Sequence, residues 1–139
     1  MQVHASCAAR NGAGLLLLGP AGAGKSDMVL RLIDLGFLLV ADDRVEIDAG
    51  RARPAAGLAG LLEVRGLGII RLPHVAPVAL RLAVVLGRPP ERLPGAAWHD
   101  DFAVPRITID PHCASAALQA ALALDCALGR VRQVAGAFA

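Results

Sequence analysis

Gly19-Pro20-Ala21-Gly22-Ala23-Gly24-Lys25-Ser26 has the spacing G-x-x-x-x-G-K-S of a phosphate-binding loop set between a strand and a helix. Its three glycines let backbone N–H groups come close to phosphate oxygens and adopt turns that a Cβ obstructs. Lys25 is the counterion for the β and γ phosphates in such a loop. Ser26 offers its hydroxyl to Mg²⁺, and the helix that follows points its positive N-terminal end at the same anion. A nucleoside triphosphate is the ligand this octapeptide implies.

The flanks supply the required context. Leu15-Leu16-Leu17-Leu18 reads as a buried strand ending at the first glycine, and Ser26 to Leu35 as an amphipathic helix. Met28, Leu32 and Leu35 recur at helical spacing, as do Val29 and Ile33, and Gly36 stands where a helix ends. These apolar residues are core. An α/β domain follows, and 139 residues with 55% hydrophobic side chains suit a single domain spanning positions 1–139.

Composition narrows the partners. A formal charge of +2 and 3% aromatic residues give neither the field nor the stacking platforms of a nucleic-acid binder. The apolar run Ala13 to Leu18 is far shorter than the roughly 20 residues that span a bilayer, and no signal-peptide pattern precedes the loop. Cys7, Cys113 and Cys126 are odd in number and lack C-x-x-C spacing, which points to reduced structural thiols and a cytoplasmic protein.

Beyond the first helix, Phe37-Leu38-Leu39-Val40-Ala41 reads as a second strand that delivers Asp42 and Asp43 at its carboxyl end, where α/β sheets place ligands. A carboxylate there can hold the water shell of Mg²⁺ or accept a proton from an attacking hydroxyl. Adjacent side chains of a strand face opposite ways, so one of the two faces the phosphates, and spacing alone does not choose which. Asp48 to Gly60 reads as an exposed connection with a hairpin turn at Ala49-Gly50. In Leu61 to Ile70, Glu63 and Arg65 share a side if the segment is a regular strand.

Further on, Val78 to Leu86 is an apolar strand interrupted by Arg81, and Ile107 to Ile109 a short β-branched one. Cys113 to Val131 reads as an Ala-rich helix packed on the sheet. Trp98 to Asp101 reads as an exposed polar loop.

The P-loop, the Ala41-Asp42-Asp43 strand end and Glu63-Val64-Arg65-Gly66-Leu67-Gly68-Ile69-Ile70 stand in the order found in the catalytic domain of bacterial HPr kinase/phosphorylase, and the chain resembles that family from about Val3 to Ala127. The resemblance implies a P-loop kinase domain of the HPr kinase/phosphoenolpyruvate carboxykinase type, with a mixed sheet and flanking helices. It implies an enzyme that uses ATP, or pyrophosphate, with Mg²⁺ to phosphorylate a serine on HPr or an HPr-like phosphocarrier of the phosphotransferase system, and that also runs a reverse phosphorolysis.

Carried onto this chain, the family's catalytic set falls on His4, Lys25, Asp43 and Arg92, with Asp43 as acid/base group and Gly19, Pro20, Ala21, Gly22, Ala23, Gly24, Lys25 and Ser26 as the nucleotide loop. Ser26 and Glu63 correspond to the magnesium site, and Asp42 is the further candidate there. The resemblance also implies a homo-oligomer, a hexamer in the family. Two departures stand out. Only three residues precede His4, so the separate N-terminal domain of longer members is expected to be missing. Asp110 and His112 occupy a stretch, Pro105 to His112, where the family presents basic residues associated with dephosphorylation.

From the residues alone two other readings stay open. One is a P-loop kinase or hydrolase for a small molecule, with the Glu63 segment serving as core and hairpin. The other is a nucleotide-binding regulatory module.

Overall fold

Asn11 and Gly12 sit at φ 53° and 79°, the left-handed pair that a tight hairpin turn demands. They join β2 (Ala5–Arg10) to β3 (Ala13–Leu18), antiparallel from Ala5 opposite Leu18 to Arg10 opposite Ala13. The computed structural model describes residues 1–139. β1 (Gln2–Val3) precedes this hairpin, and α1 (Lys25–Asp34) follows it. The chain continues through β4 (Leu38–Ala41), β5 (Val45–Asp48), β6 (Arg51–Pro54), β7 (Leu61–Val64), β8 (Gly68–Arg71) and β9 (Val78–Leu86), and closes with β10 (Trp98–His99), β11 (Val104–Ile109) and α2 (Ala116–Ala127).

Nine strands form one mixed sheet in the order β1-β5-β6-β9-β3-β2-β4, with β11 paired to β9 and β10 to β11. β9 is parallel to both β3 and β11. Its first residues pair antiparallel with β6 at Ala79 and Val78. Its later ones, Ala83 to Leu86, pair with β11. β2 is antiparallel to both β3 and β4, so β4 runs parallel to β3. The carboxyl ends of β4, β3, β9 and β11 therefore lie along one edge, which is the edge where α/β sheets bind ligands.

The period-2 alternation of strands sorts side chains to two faces. Leu15 and Leu17 join Met28, Val29, Leu32 and the alanines of α2 in a core on the helical side, while Leu16 joins Cys7, Val40, Val45 and Val78 on the other. Arg10 caps the helical side: its Nη2 donates to both carboxylate oxygens of Asp125, at 3.2 and 3.1 Å, and its guanidinium stacks on Phe37.

Several sequence expectations change. Asp48 to Gly60 is not all connection: it contains β6, and only the Ala49-Gly50 turn matches the reading. Arg51 and Arg53 hid this strand, because it runs exposed-buried-exposed with Ala52 as its only fully buried side chain. Arg65 lies past the end of β7, in the turn to β8, and so does not share a strand side with Glu63. Trp98-His99 is a short strand, because β11 extends back to Val104 and pairs with it. α2 is shorter than the Ala-rich run at both ends. No helix is long and apolar enough to cross a membrane.

Candidate active site

Positive φ at Gly22 (82°) and Gly24 (99°) turns the chain between β3 and α1 into a concave loop. At Gly19 a Cβ would stand 2.9 Å from that of Ala23, so only glycine fits there. Gly24 is the residue before the helix, and no side chain caps α1. The first-turn N–H groups of α1 therefore face outward as anion donors. Lys25 Nζ donates to the carbonyls of Gly19 at 2.6 Å and Pro20 at 2.9 Å, which sets the ammonium on the rim of the loop with a third N–H to spare. Backbone donors and a cation converging on a concave loop fit a polyphosphate.

Asp42, at the end of β4, is 7% exposed and accepts from three elements. Its Oδ1 receives the hydroxyls of Ser6 at 2.8 Å and Ser26 at 2.7 Å, and its Oδ2 receives the Glu63 N–H at 3.1 Å. A buried carboxylate needs such partners. Because Ser26 spends its proton on Asp42, its oxygen lone pairs are left for a cation. No three His, Cys, Asp or Glu side chains gather closely enough to cage a metal by themselves. A hard cation beside this hydroxyl suits the Mg²⁺ pattern, in which phosphate and water complete the coordination.

Asp43 has a different role in the geometry. It is 67% exposed and has φ 68°, and across it the Arg44 N–H donates to the Asp42 carbonyl at 2.8 Å. This is the i to i+2 bond of a γ-turn in its rare, strained hand. Holding a non-glycine residue there costs on the order of 1–3 kcal/mol. The result aims the carboxylate of Asp43 off the sheet edge rather than along the strand, and so separates the two adjacent acids: Asp42 inward as a buried acceptor, Asp43 outward.

Lys25, Ser26, Asp43, Glu63 and Arg65 line one cleft of about 480 Å³ together with Gly22 and Gly24. His4, in the bend between β1 and β2, places Nδ1 3.8 Å from Asp43 Oδ1, with both groups exposed. Arg92 is not brought here. The segment after β9 carries it to a separate cavity of about 280 Å³ with Leu122 and Cys126 of α2 and Phe138. The loop after β11 does reach the P-loop helix, since Arg31 Nη2 donates to the Pro111 carbonyl at 2.9 Å.

Two residues at the site had no role assigned from the sequence. Arg65, noticed there only as the partner of Glu63 along the chain, lines the cleft as a second cation beside Lys25. Ser6 gave no signal, because a serine among small residues in an unrecognised strand carries no motif.

Fold and cleft together define a class: a mixed α/β domain with a P-loop at the carboxyl edge of its sheet, after β3, and paired acids at the same edge after β4, with β2 between the two strands. Residues 1–76 match the family described as HPr Serine kinase C-terminal domain, and the chain belongs to that family. It is 46% identical over 68 residues to the HPr kinase/phosphorylase of Clostridium tetani, a match covering 46% of this chain and 22% of the relative. It is 48% identical over 64 residues to that of Streptococcus thermophilus, covering 42% and 21%. The matched region is thus about a fifth of these relatives' length. A solved structure described as the Hpr(Ser) kinase/phosphatase from Coxiella burnetii superimposes with a TM-score of 0.73 at 24% identity, covering 94% of this chain and 92% of that one; this likeness shows the shared fold.

Proposed function

We propose that this chain is a single catalytic domain that transfers the γ-phosphoryl group of ATP, with Mg²⁺, to a serine of HPr or an HPr-like phosphocarrier in the cytoplasm. The observation that carries the reading is the opening of the P-loop and Asp43 into one cleft, with Ser26 held by Asp42 between them.

Phosphoryl transfer asks for positioning and charge neutralisation more than covalent chemistry. The N–H groups of the P-loop and of the first turn of α1 bind the phosphates, and Lys25 turns its ammonium from the loop carbonyls toward the γ-phosphate. Ser26, Glu63 and the buried Asp42 would hold Mg²⁺ and its water shell, and the ion would supply neutralisation of the phosphate charge. Asp43 orients the incoming serine hydroxyl and takes its proton at a carboxylate oxygen as the new O–P bond forms. In phosphorolysis the same carboxyl returns that proton to the serine oxygen. Arg65 replaces Arg92 as the cleft's guanidinium, and His4 borders Asp43 on the outer side. Relatives named as both kinase and phosphorylase support the reversible form, and the family resemblance supports a homo-oligomer.

Incubating the protein with γ-labelled ATP, Mg²⁺ and purified HPr tests the reading. Label on an HPr serine is the expected result. Release of inorganic phosphate with HPr unlabelled indicates a hydrolase, and nucleotide binding without turnover indicates a regulatory module.

A further inference from the structure

Ser6 is fully buried on β2, and nothing in the transfer chemistry above requires it. The backbone at Ser6 pairs with Leu17 of β3 on one side and lies just past the β4 ladder, which covers Cys7 to Ala9, on the other. The Ser6 hydroxyl takes no part in these ladders. Both of its hydrogen bonds go instead to the Asp42-Asp43 corner: it donates to Asp42 Oδ1 at 2.8 Å and accepts the Asp43 N–H at 3.4 Å. The neighbouring Ala5 N–H donates to the Asp43 carbonyl at 3.3 Å. The strained turn is thus gripped by β2 at both its N–H and its C=O, and the Ser6 hydroxyl is the only side chain in that grip.

We infer that Ser6 is a positioning residue for phosphoryl transfer: its hydroxyl locks the left-handed turn that aims the Asp43 carboxylate into the cleft, and ties that turn to the Asp42–Ser26 pair on the nucleotide side. The inference rests on the proposed function for its catalytic consequence and on geometry for its structural one. One hydroxyl performs both tasks because it has a single proton to donate and lone pairs left to accept. Alanine at this position leaves the part-buried Asp43 N–H and a buried Asp42 carboxylate oxygen each short of a partner. The turn then relaxes from positive φ, which Asp43 adopts only under constraint. The nucleotide loop, held by its own glycines and by Lys25, makes no direct hydrogen bond to Ser6, and Ser26 keeps its own bond to Asp42, so the loop keeps its shape.

The test uses Ser6→Ala and Ser6→Thr with three readouts: kcat for transfer to HPr, affinity for the Mg²⁺ complex of a non-hydrolysable ATP analogue, and amide hydrogen exchange at Asp43. Ser6→Ala is expected to lose about tenfold in kcat, equivalent to roughly 1.4 kcal/mol of transition-state stabilisation, with nucleotide Kd changed less than twofold. Its Asp43 amide exchanges at least tenfold faster than that of the wild type. Ser6→Thr, which keeps the hydroxyl, retains both rate and protection. Unchanged kcat in Ser6→Ala, or a loss of nucleotide affinity matching the loss in rate, overturns the inference. If Ser6→Ala does not fold, the wild type decides through the exposed Asp43 alone, whose amide must be protected; exchange at the unprotected rate overturns the lock. If the wild type transfers nothing to HPr, the proposed function fails, and the exchange comparison still settles whether Ser6 holds the turn.

Discussion

Asp42 and Asp43 are chemically identical neighbours put to opposite uses by one backbone dihedral. The positive φ of Asp43 breaks the strand immediately after Asp42, leaving the first acid buried and the second in solvent. Asp42→Asn therefore is expected to act differently from a surface change. One of its oxygens becomes an NH₂ group: facing the Glu63 N–H it sets donor against donor, and facing the two serine hydroxyls it claims the lone pairs that Ser26 otherwise holds for a cation and Ser6 for the Asp43 N–H. A cost of about 1–3 kcal/mol in stability follows from losing the charge-assisted bonds to the buried carboxylate, together with weaker Mg²⁺ dependence of nucleotide binding. Thermal denaturation and a Mg²⁺ titration check both; a variant as stable as wild type would show that Asp42 is not the hub. Cys7 offers a pH-dependent counterpart. Burial pushes its thiol from 9.0 up to about 12, so the folded state favours the protonated form. This contribution to stability is complete below about pH 9 and is lost as pH rises toward 12. At pH 8 a thiol reagent should modify exposed Cys113 quickly and leave Cys7 untouched until the protein is unfolded.

Among the elements, the β7–β8 hairpin shows how alternation separates structure from surface. Leu62 is fully buried on β7 and packs in the helical-side core, whereas Leu67 in the turn and Ile69 on β8 are 73% and 70% exposed. Leu62→Ala should cost about 2–5 kcal/mol. Leu67→Ser should stay within roughly 0.5 kcal/mol of wild type; equal losses in denaturant titrations would contradict this division. The elements most legible in the sequence were those with one dominant signal. The leucine run and the Gly-Lys-Ser loop marked β3 and α1, and Val78 to Leu86 is matched residue for residue by β9. β2 was also legible in principle, through the Asn-Gly pair that closes its hairpin, but its Ala-rich composition gives weak strand propensity. β6 was masked by its arginines, and β10 is defined only by its partner strand.

At the scale of the molecule, the parallel run of β4, β3, β9 and β11 turns separate motifs into one site. Sequence order alone gave the P-loop, the paired acids and the Glu63 segment, and the fold brings Lys25, Ser26, Asp43 and Glu63 to a single cleft. Arg92 lines a different cavity, because its position depends on how the long segment after β9 turns toward α2, which no local pattern specifies. Family membership rests on residues 1–76, the part that contains every residue of the proposed cleft. The central claim is that this cleft binds nucleotide through one set of residues and transfers phosphate through another. Parallel measurement of nucleotide Kd and of kcat for serine phosphorylation of HPr in Asp43→Asn tests it most directly. Near-wild-type affinity with kcat reduced by roughly 10²-fold or more, the scale of a lost general base, is the expected result. Wild-type kcat, or a fall in affinity that accounts for the whole loss of rate, would contradict the claim.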